Sequence, residues 1–176
     1  QVFFCNSGAE ANENALHLAR KRSGRQLVVS LAGGWHGRTV ATLAVTDGSK
    51  YEDGARRAGM PLSRKVAFDD IQALERAGDA SVAAVSLEPV QGMAGARPCS
   101  TEFLAAARRV CTARGAALIF DEVQCGVGRR GCFTAAGTDG GLSEILTLAK
   151  GHASGRPHGA KNGRPPSSGT TQAGRP

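Results

Sequence analysis

Residues 116–124 read Ala-Ala-Leu-Ile-Phe-Asp-Glu-Val-Gln, an apolar run without alternation that closes on two carboxylates. A continuous apolar run of strand length fits a strand buried on both faces, as in a parallel sheet covered by helices. Leu27 to Leu31 and Val82 to Leu87 have the same character, and Ile145 to Leu148 is a weaker fourth. Helical patterns fall between these runs. The first spans Gly8 to about Arg22, with Ala11, Ala15, Leu18, Ala19 and Arg22 on one face and Gly24 as a left-handed stop. Another covers Asp70 to Ala77. A third runs from about Glu102 to Arg114, with Phe103, Leu104, Ala107, Val110 and Cys111 inward and Gly115 at its end. Strands alternating with helices predict an α/β fold with a mostly parallel sheet and flanking helices. In such sheets a ligand crevice lies beyond the carboxyl ends of the strands, so the residues just after each strand are the candidates for chemistry.

Four constellations sit at such places. Asn6-Ser7-Gly8-Ala9-Glu10 opens the first helix. Ser7 and Glu10 form a capping box, and Gly8 and Ala9 leave helix N-terminal N–H groups open to an anionic phosphate. Asp121-Glu122-Val123-Gln124 ends the 116–120 run. A carboxylate there is partly desolvated and needs a cationic partner, either the protonated ring nitrogen of a cofactor or a nearby arginine, Arg129 or Arg130. Lys150 closes Leu146-Thr147-Leu148-Ala149. It is either a solvated strand end or, if tucked into the crevice, an amine made nucleophilic by burial. Gly33-Gly34-Trp35-His36-Gly37-Arg38 follows the first apolar run. Its glycines allow close backbone approach to a ligand beside a flat aromatic face, although a lone Trp also serves as a core plug. One ligand uses all four features, a flat phosphorylated pyridine bearing an aldehyde: pyridoxal phosphate.

On these residues the chain resembles a fold-type I, class III aminotransferase of the acetylornithine and ornithine aminotransferase group. The stretches that carry the resemblance are Phe-Phe-Cys-Asn-Ser-Gly-Ala-Glu-Ala-Asn-Glu (3–13), Trp-His-Gly-Arg-Thr (35–39), Leu-Glu-Pro-Val-Gln-Gly (87–92), Leu-Ile-Phe-Asp-Glu-Val-Gln-Cys-Gly-Val-Gly-Arg (118–129) and Leu-Thr-Leu-Ala-Lys-Gly (146–151). The resemblance implies part of the large domain of a pyridoxal-phosphate-dependent transferase. It implies transfer of an amino group from an amino acid to a 2-oxo acid through a Schiff base on Lys150, which also shuttles the proton. Ser7, Gly8 and Ala9 would cradle the phosphate, and Trp35 would stack on the ring with His36 beside it. Asp121 would hold the ring nitrogen protonated, Val123 would pack on the opposite face, and Gln124 would contact the ring hydroxyl. Glu88 and Gln91 match positions near the site, Glu88 in a structural role. Met93 stands where relatives with ornithine-type donors carry Glu, and Gly128-Arg129-Arg130-Gly131 replaces a Gly-Arg-Thr-Gly. The resemblance also implies a homodimer in the full-length protein and a C-terminal domain, beyond this chain, that binds the substrate carboxylate. A truncated remnant that holds the cofactor without turnover, and a related aminomutase or ω-amine transaminase, are the alternatives.

Composition bounds the rest. The 176 residues, 41% hydrophobic, are enough for one domain with a core, and no apolar run is long enough to span a membrane. The first residues have no signal-peptide pattern. Five cysteines, without a CxxC pair, point to a reducing cytoplasmic setting and to no metal site. Of the net charge of +7, Arg156, Lys161, Arg164 and Arg175 supply +4, and no nucleic-acid motif accompanies it. Residues 151–176 lack Val, Ile, Leu, Met and aromatics. The expected division is therefore a cofactor-binding region over 1–160 and a flexible basic tail rich in Gly, Pro, Ser and Thr over 161–176.

Overall fold

The computed structural model describes residues 1–129, 131–135, 143–152 and 158–162. The chain begins with β1 (Val2–Cys5), α1 (Gly8–Ser23), β2 (Leu27–Leu31), α2 (Val40–Val45), α3 (Ser49–Arg57) and β3 (Arg64–Val66). It continues through α4 (Ile71–Ala77), β4 (Val82–Leu87), a small hairpin of β5 (Val90–Gln91) and β6 (Arg97–Pro98), and α5 (Thr101–Arg114). Last come β7 (Ala117–Glu122), β8 (Ile145–Leu148), a 3-10 turn (Lys150–His152) and β9 (His158–Asn162). Seven strands form one sheet in the order β1-β9-β8-β7-β4-β2-β3. The five from β8 to β3 run parallel, and β9 is antiparallel to both β8 and β1. This is the mostly parallel, helix-flanked sheet expected from the apolar runs. Strand order reverses beside β2, with β3 on one side and β4 on the other, so a crevice opens at the carboxyl ends there.

Period-two alternation along the strands feeds two cores. Val29, Leu31, Val85, Leu87, Leu118 and Phe120 face α4 and α5, where they meet Leu74, Phe103, Leu104 and Cys111. Val28, Ala84, Ala117, Ile119 and Ile145 face Ala15, Leu16 and Ala19 of α1. The second face is smaller because α1 presents alanines, and alanine against alanine brings the helix close to the sheet. Contrary to the face read from its spacing, α1 leaves Leu18 41% exposed and Arg22 exposed, and buries Asn12 and Leu16. The helix is turned toward Asn12 because that side chain finds buried polar partners, described below.

Helix ends follow local chemistry. The side chains of Ser7, Asp70 and Ser100 accept the N–H three residues on, and Gly24 and Gly115 close α1 and α5 in left-handed backbone, at φ of 69° and 63°. Strand β9 includes Lys161 and Asn162, two residues past the compositional boundary at Ala160. Its pairing with β1 and β8 is made by backbone, which composition does not register. Residues 163–176 lie outside the described residues. Among the described residues no helix is long and apolar enough to cross a membrane.

Candidate active site

A cavity of about 520 Å³ opens where β2, β7 and β8 end and α1 begins. Ser7, Gly8, Ala9, Trp35, His36, Asp121, Val123, Gln124 and Lys150, separated by up to 143 positions in sequence, all line it. Asn12, Arg38 and Thr39 line it too and were not singled out from sequence. Asn12 had a legible signal, an uncharged amide on the face of α1 that also carries the inward alanines.

At the start of α1, Ser7 Oγ accepts the Glu10 N–H at 3.1 Å. Glu10 returns the contact one residue earlier than a capping box requires, to the Asn6 N–H at 2.6 Å. The N–H groups of Ser7, Gly8 and Ala9 precede the first intrahelical donor, Ala11, and have no helical acceptor, and these three residues line the cavity at the positive end of the helix dipole. Gly8 has a second reason to be glycine. A Cβ there would stand 2.6 Å from Val123 Cγ1, and one on Gly37, at φ 131°, would stand 2.7 Å from Ala9 Cβ. These two contacts fit the three loops around the cavity against each other. Gly8→Ala is expected to destabilise the chain by about 1–3 kcal/mol through overpacking. Thermal unfolding of Gly8→Ala with and without Val123→Ala checks this, since the smaller side chain restores the space.

Asp121, 3% exposed, is gripped on both oxygens. Oδ2 accepts from Asn12 Nδ2 at 2.7 Å and from His36 Nδ1 at 2.8 Å, and Oδ1 accepts from the Val123 N–H at 3.1 Å. The arginine alternative is not realised by Arg129, which is exposed, and Arg130 lies outside the described residues. His36 itself is fully buried, and its Nε2 has no hydrogen-bond partner. Burial pushes the His36 pKa down, but the hydrogen bond and charge of Asp121 and the charge of Glu88 outweigh it, so the net shift is upward. Glu88 is pushed up to about 7, chiefly by burial and against the pull of His36, and its Oε2 accepts the Trp35 N–H at 2.9 Å.

Lys150 adopts left-handed backbone at φ 49°, an arrangement that costs about 1–3 kcal/mol in a residue with a Cβ and clusters at functional sites. It lines the cavity but is exposed, so the deep burial considered from sequence is not provided by the residues described. Trp35 is not a core plug. It lines the cavity and meets Tyr51 of α3 edge-on, with ring centroids 5.1 Å apart at 82°. Gln124 packs against Gly92, where a Cβ would stand 2.6 Å from its Oε1. Glu88 and Gln91 do not line the cavity. Gln91 donates to the Ala32 carbonyl and accepts from Arg97, which pins the β5–β6 hairpin, and Met93 at its turn is 65% exposed. No group of His, Cys, Asp and Glu among the described residues could hold a metal ion.

The cavity is lined by the groups that a flat phosphorylated pyridine needs: the residues of a helix N-terminus, a buried carboxylate and an aromatic side chain. Comparisons with known proteins give the family. The chain is 44% identical over 166 residues to the acetylornithine aminotransferase of Methanocaldococcus jannaschii, a match that covers 91% of this chain and 42% of the relative. It is 44% identical over 162 residues to that of Bacillus cereus, covering 92% and 42%. Among solved structures, ornithine aminotransferase from Toxoplasma gondii superposes with a TM-score of 0.83 at 32% identity, covering 94% of this chain and 41% of that one. The chain thus spans less than half the length of the relatives it matches. The family model for Aminotransferase class-III matches residues 1–170, and the chain belongs to that family.

Proposed function

We propose that this chain is the cofactor-holding part of a pyridoxal-phosphate-dependent transaminase that moves an amino group from an ornithine- or acetylornithine-type donor to a 2-oxo acid. One juxtaposition carries the reading: a lysine in left-handed backbone, a buried carboxylate and an open helix N-terminus around a single cavity. The names of the relatives support the donor class. When bound, pyridoxal phosphate supplies a reactive carbonyl carbon and an electron-withdrawing ring. The N–H groups of Ser7, Gly8 and Ala9 bind its phosphate. Trp35 and Val123 would enclose the ring, and the Gln124 amide would donate to the ring hydroxyl. Asp121, steadied by His36, holds a proton on the ring nitrogen. Lys150 would offer the amine that anchors the cofactor, and the same amine would move a proton at the donor's α-carbon.

Absorbance of the purified chain mixed with pyridoxal phosphate, then borohydride reduction and peptide mass mapping, tests the reading. The expected result is a band shifted from that of free cofactor and a reduced adduct on Lys150. Labelling scattered over surface lysines would overturn it. A second reading, cofactor binding without turnover, draws on the exposure of Lys150, which leaves its amine in water. An adduct on Lys150 that no amino acid displaces would favour that reading. The same cofactor residues would serve an aminomutase or ω-amine transaminase, and a donor screen of the full-length protein separates these. A homodimer of the full-length protein belongs to the proposal, supported by the exposed apolar edge of Val2, Phe3 and Phe4, and sedimentation checks it. So does a cytoplasmic setting. Burial pushes the thiols of Cys99, Cys111 and Cys125 up to about 12, which keeps them protonated and unreactive.

A further inference from the structure

Asn12, on α1, is 4% exposed, a burial that an amide tolerates only with its hydrogen bonds made. It makes them to three separate parts of the fold. Nδ2 donates to Asp121 Oδ2 on β7 at 2.7 Å and to the His36 carbonyl at 2.8 Å, while Oδ1 accepts from Thr147 Oγ1 on β8 at 2.7 Å. Only one orientation of the amide satisfies this set. Turned over, its oxygen would face a carboxylate and a carbonyl, acceptors with no donor between them. The carboxylate and the carbonyl therefore decide which side of Asn12 donates, and the Thr147 hydroxyl, which also stands 3.5 Å from Asp121 Oδ1, satisfies the oxygen left on the other side.

We propose that Asn12, its oxygen satisfied by Thr147, is a positioning residue that ties Asp121 to the Trp35–His36 loop and so fixes the carboxylate relative to the aromatic side chain that lines the same cavity. The proposal rests on the cofactor reading above and deepens it. His36 does not do this alone. Its imidazole reaches Asp121 from a loop through one contact, whereas Asn12 grips the carboxylate and the loop backbone together from a 16-residue helix. The neutrality of the amide also matters. In Asn12→Asp a second carboxyl would stand against Asp121, and two carboxyls that close share one proton. While that proton is present the new carboxyl still donates to Asp121, and once it leaves, the donor becomes a second charge. The groups near this pair are His36 and Glu88 from the segments after β2 and β4 and Cys125 after β7, with Arg38 and Lys150 lining the same cavity.

The test uses the whole chain, with pyridoxal phosphate as probe and two readouts besides activity. Trp35 is the only tryptophan, so quenching of its emission reports cofactor binding, and the His36 imidazole is titrated by NMR without cofactor. Asn12→Ala is expected to bind pyridoxal phosphate about ten- to a hundredfold more weakly, the effect of losing a hydrogen bond to a charged group, and Thr147→Val, which loses a bond between neutral groups, about three- to tenfold more weakly. Both should shift the His36 titration. Asn12→Asp is expected to lose affinity as pH rises and regain it as pH falls, beyond any such change in the unsubstituted chain. Affinities within about twofold of the unsubstituted chain with an unmoved His36 titration would overturn the proposal, as would a weakened Asn12→Asp that acid does not rescue. Should Asn12→Ala fail to fold by circular dichroism, Thr147→Val, which keeps the side-chain shape, decides. If pyridoxal phosphate fails to quench Trp35 in the unsubstituted chain, the cofactor reading falls, and the His36 titration still judges Asn12.

Discussion

With Lys150 replaced by alanine, pyridoxal phosphate and borohydride are expected to leave no adduct on the peptide that contains residue 150. Turnover of the full-length enzyme is expected to fall by on the order of 10²–10⁴-fold from the lost proton transfer alone. The loss should come without unfolding. Lys150 is exposed, and its left-handed backbone at φ 49° is no worse for alanine than for lysine, so stability should stay within about 0.5 kcal/mol. Lys150→Arg sharpens the experiment, because it keeps the positive charge but offers no amine that can shed its proton at working pH. If charge at this position merely attracts the phosphate, arginine preserves binding and function. If the amine itself is needed, arginine binds the cofactor and remains unlabelled. Undiminished labelling of the Lys150→Ala chain, with other lysines carrying the adduct, would remove Lys150 from the chemistry.

The parts of this fold that sequence discloses are those held by side chains close along the chain. β2, β4 and β7 are mainly apolar runs, interrupted by Ser30 and Ser86 and closed by Asp121-Glu122, and α1, α4 and α5 each follow a capping side chain, Ser7, Asp70 and Ser100, of which Ser7 is legible as a cap with its Glu10. The parts it conceals are held from a distance. α2 has no side-chain cap from Thr39. Its N-terminus is satisfied by Glu13, whose Oε2 accepts the Ala41 N–H at 3.0 Å across 28 positions. β1, β3 and β9 have three to five residues each and owe their place to backbone pairing at or near the sheet margins. The site divides in the same way. Its members could be picked out because each follows an apolar run or opens a helix, but the partners of Asp121 could not. Nearness in sequence offers Arg129 or Arg130 beside a cofactor nitrogen; Arg129 is exposed, and the donors found among the described residues come from His36 and Asn12, 85 and 109 positions away. Only the parallel register of β7 with β8, and α1 lying across them, brings these groups together.

Asp121→Asn is expected to damage stability and catalysis together, for separable reasons. Both carboxylate oxygens accept from buried or half-buried donors, Oδ2 from Asn12 and His36 and Oδ1 from the Val123 N–H. An amide has one oxygen, so either orientation turns its NH₂ toward a donor, at a cost of about 1–3 kcal/mol. His36 also loses its counter-charge. Burial, which lowers the His36 pKa, is then opposed only by the charge of Glu88, and the imidazole should titrate below its ordinary 6.5 instead of above it. The sign of the pH dependence follows. The raised pKa stabilises the native chain fully below 6.5 and the benefit fades as pH rises through the folded value, whereas the lowered pKa of the variant removes stability as pH falls. The difference in Tm between the two should therefore be widest near about pH 5 and narrow toward about pH 8, and NMR titration of His36 checks the cause. Catalysis fails on different grounds, since a neutral amide does not hold a proton on the ring nitrogen, and turnover should fall by on the order of 10²–10³-fold or more. Labelling of Lys150 should persist, because the amine is untouched, and this separates the Asp121 variant from the Lys150 one. Native turnover in Asp121→Asn, with His36 titrating as in the native chain, would take the carboxylate out of the site.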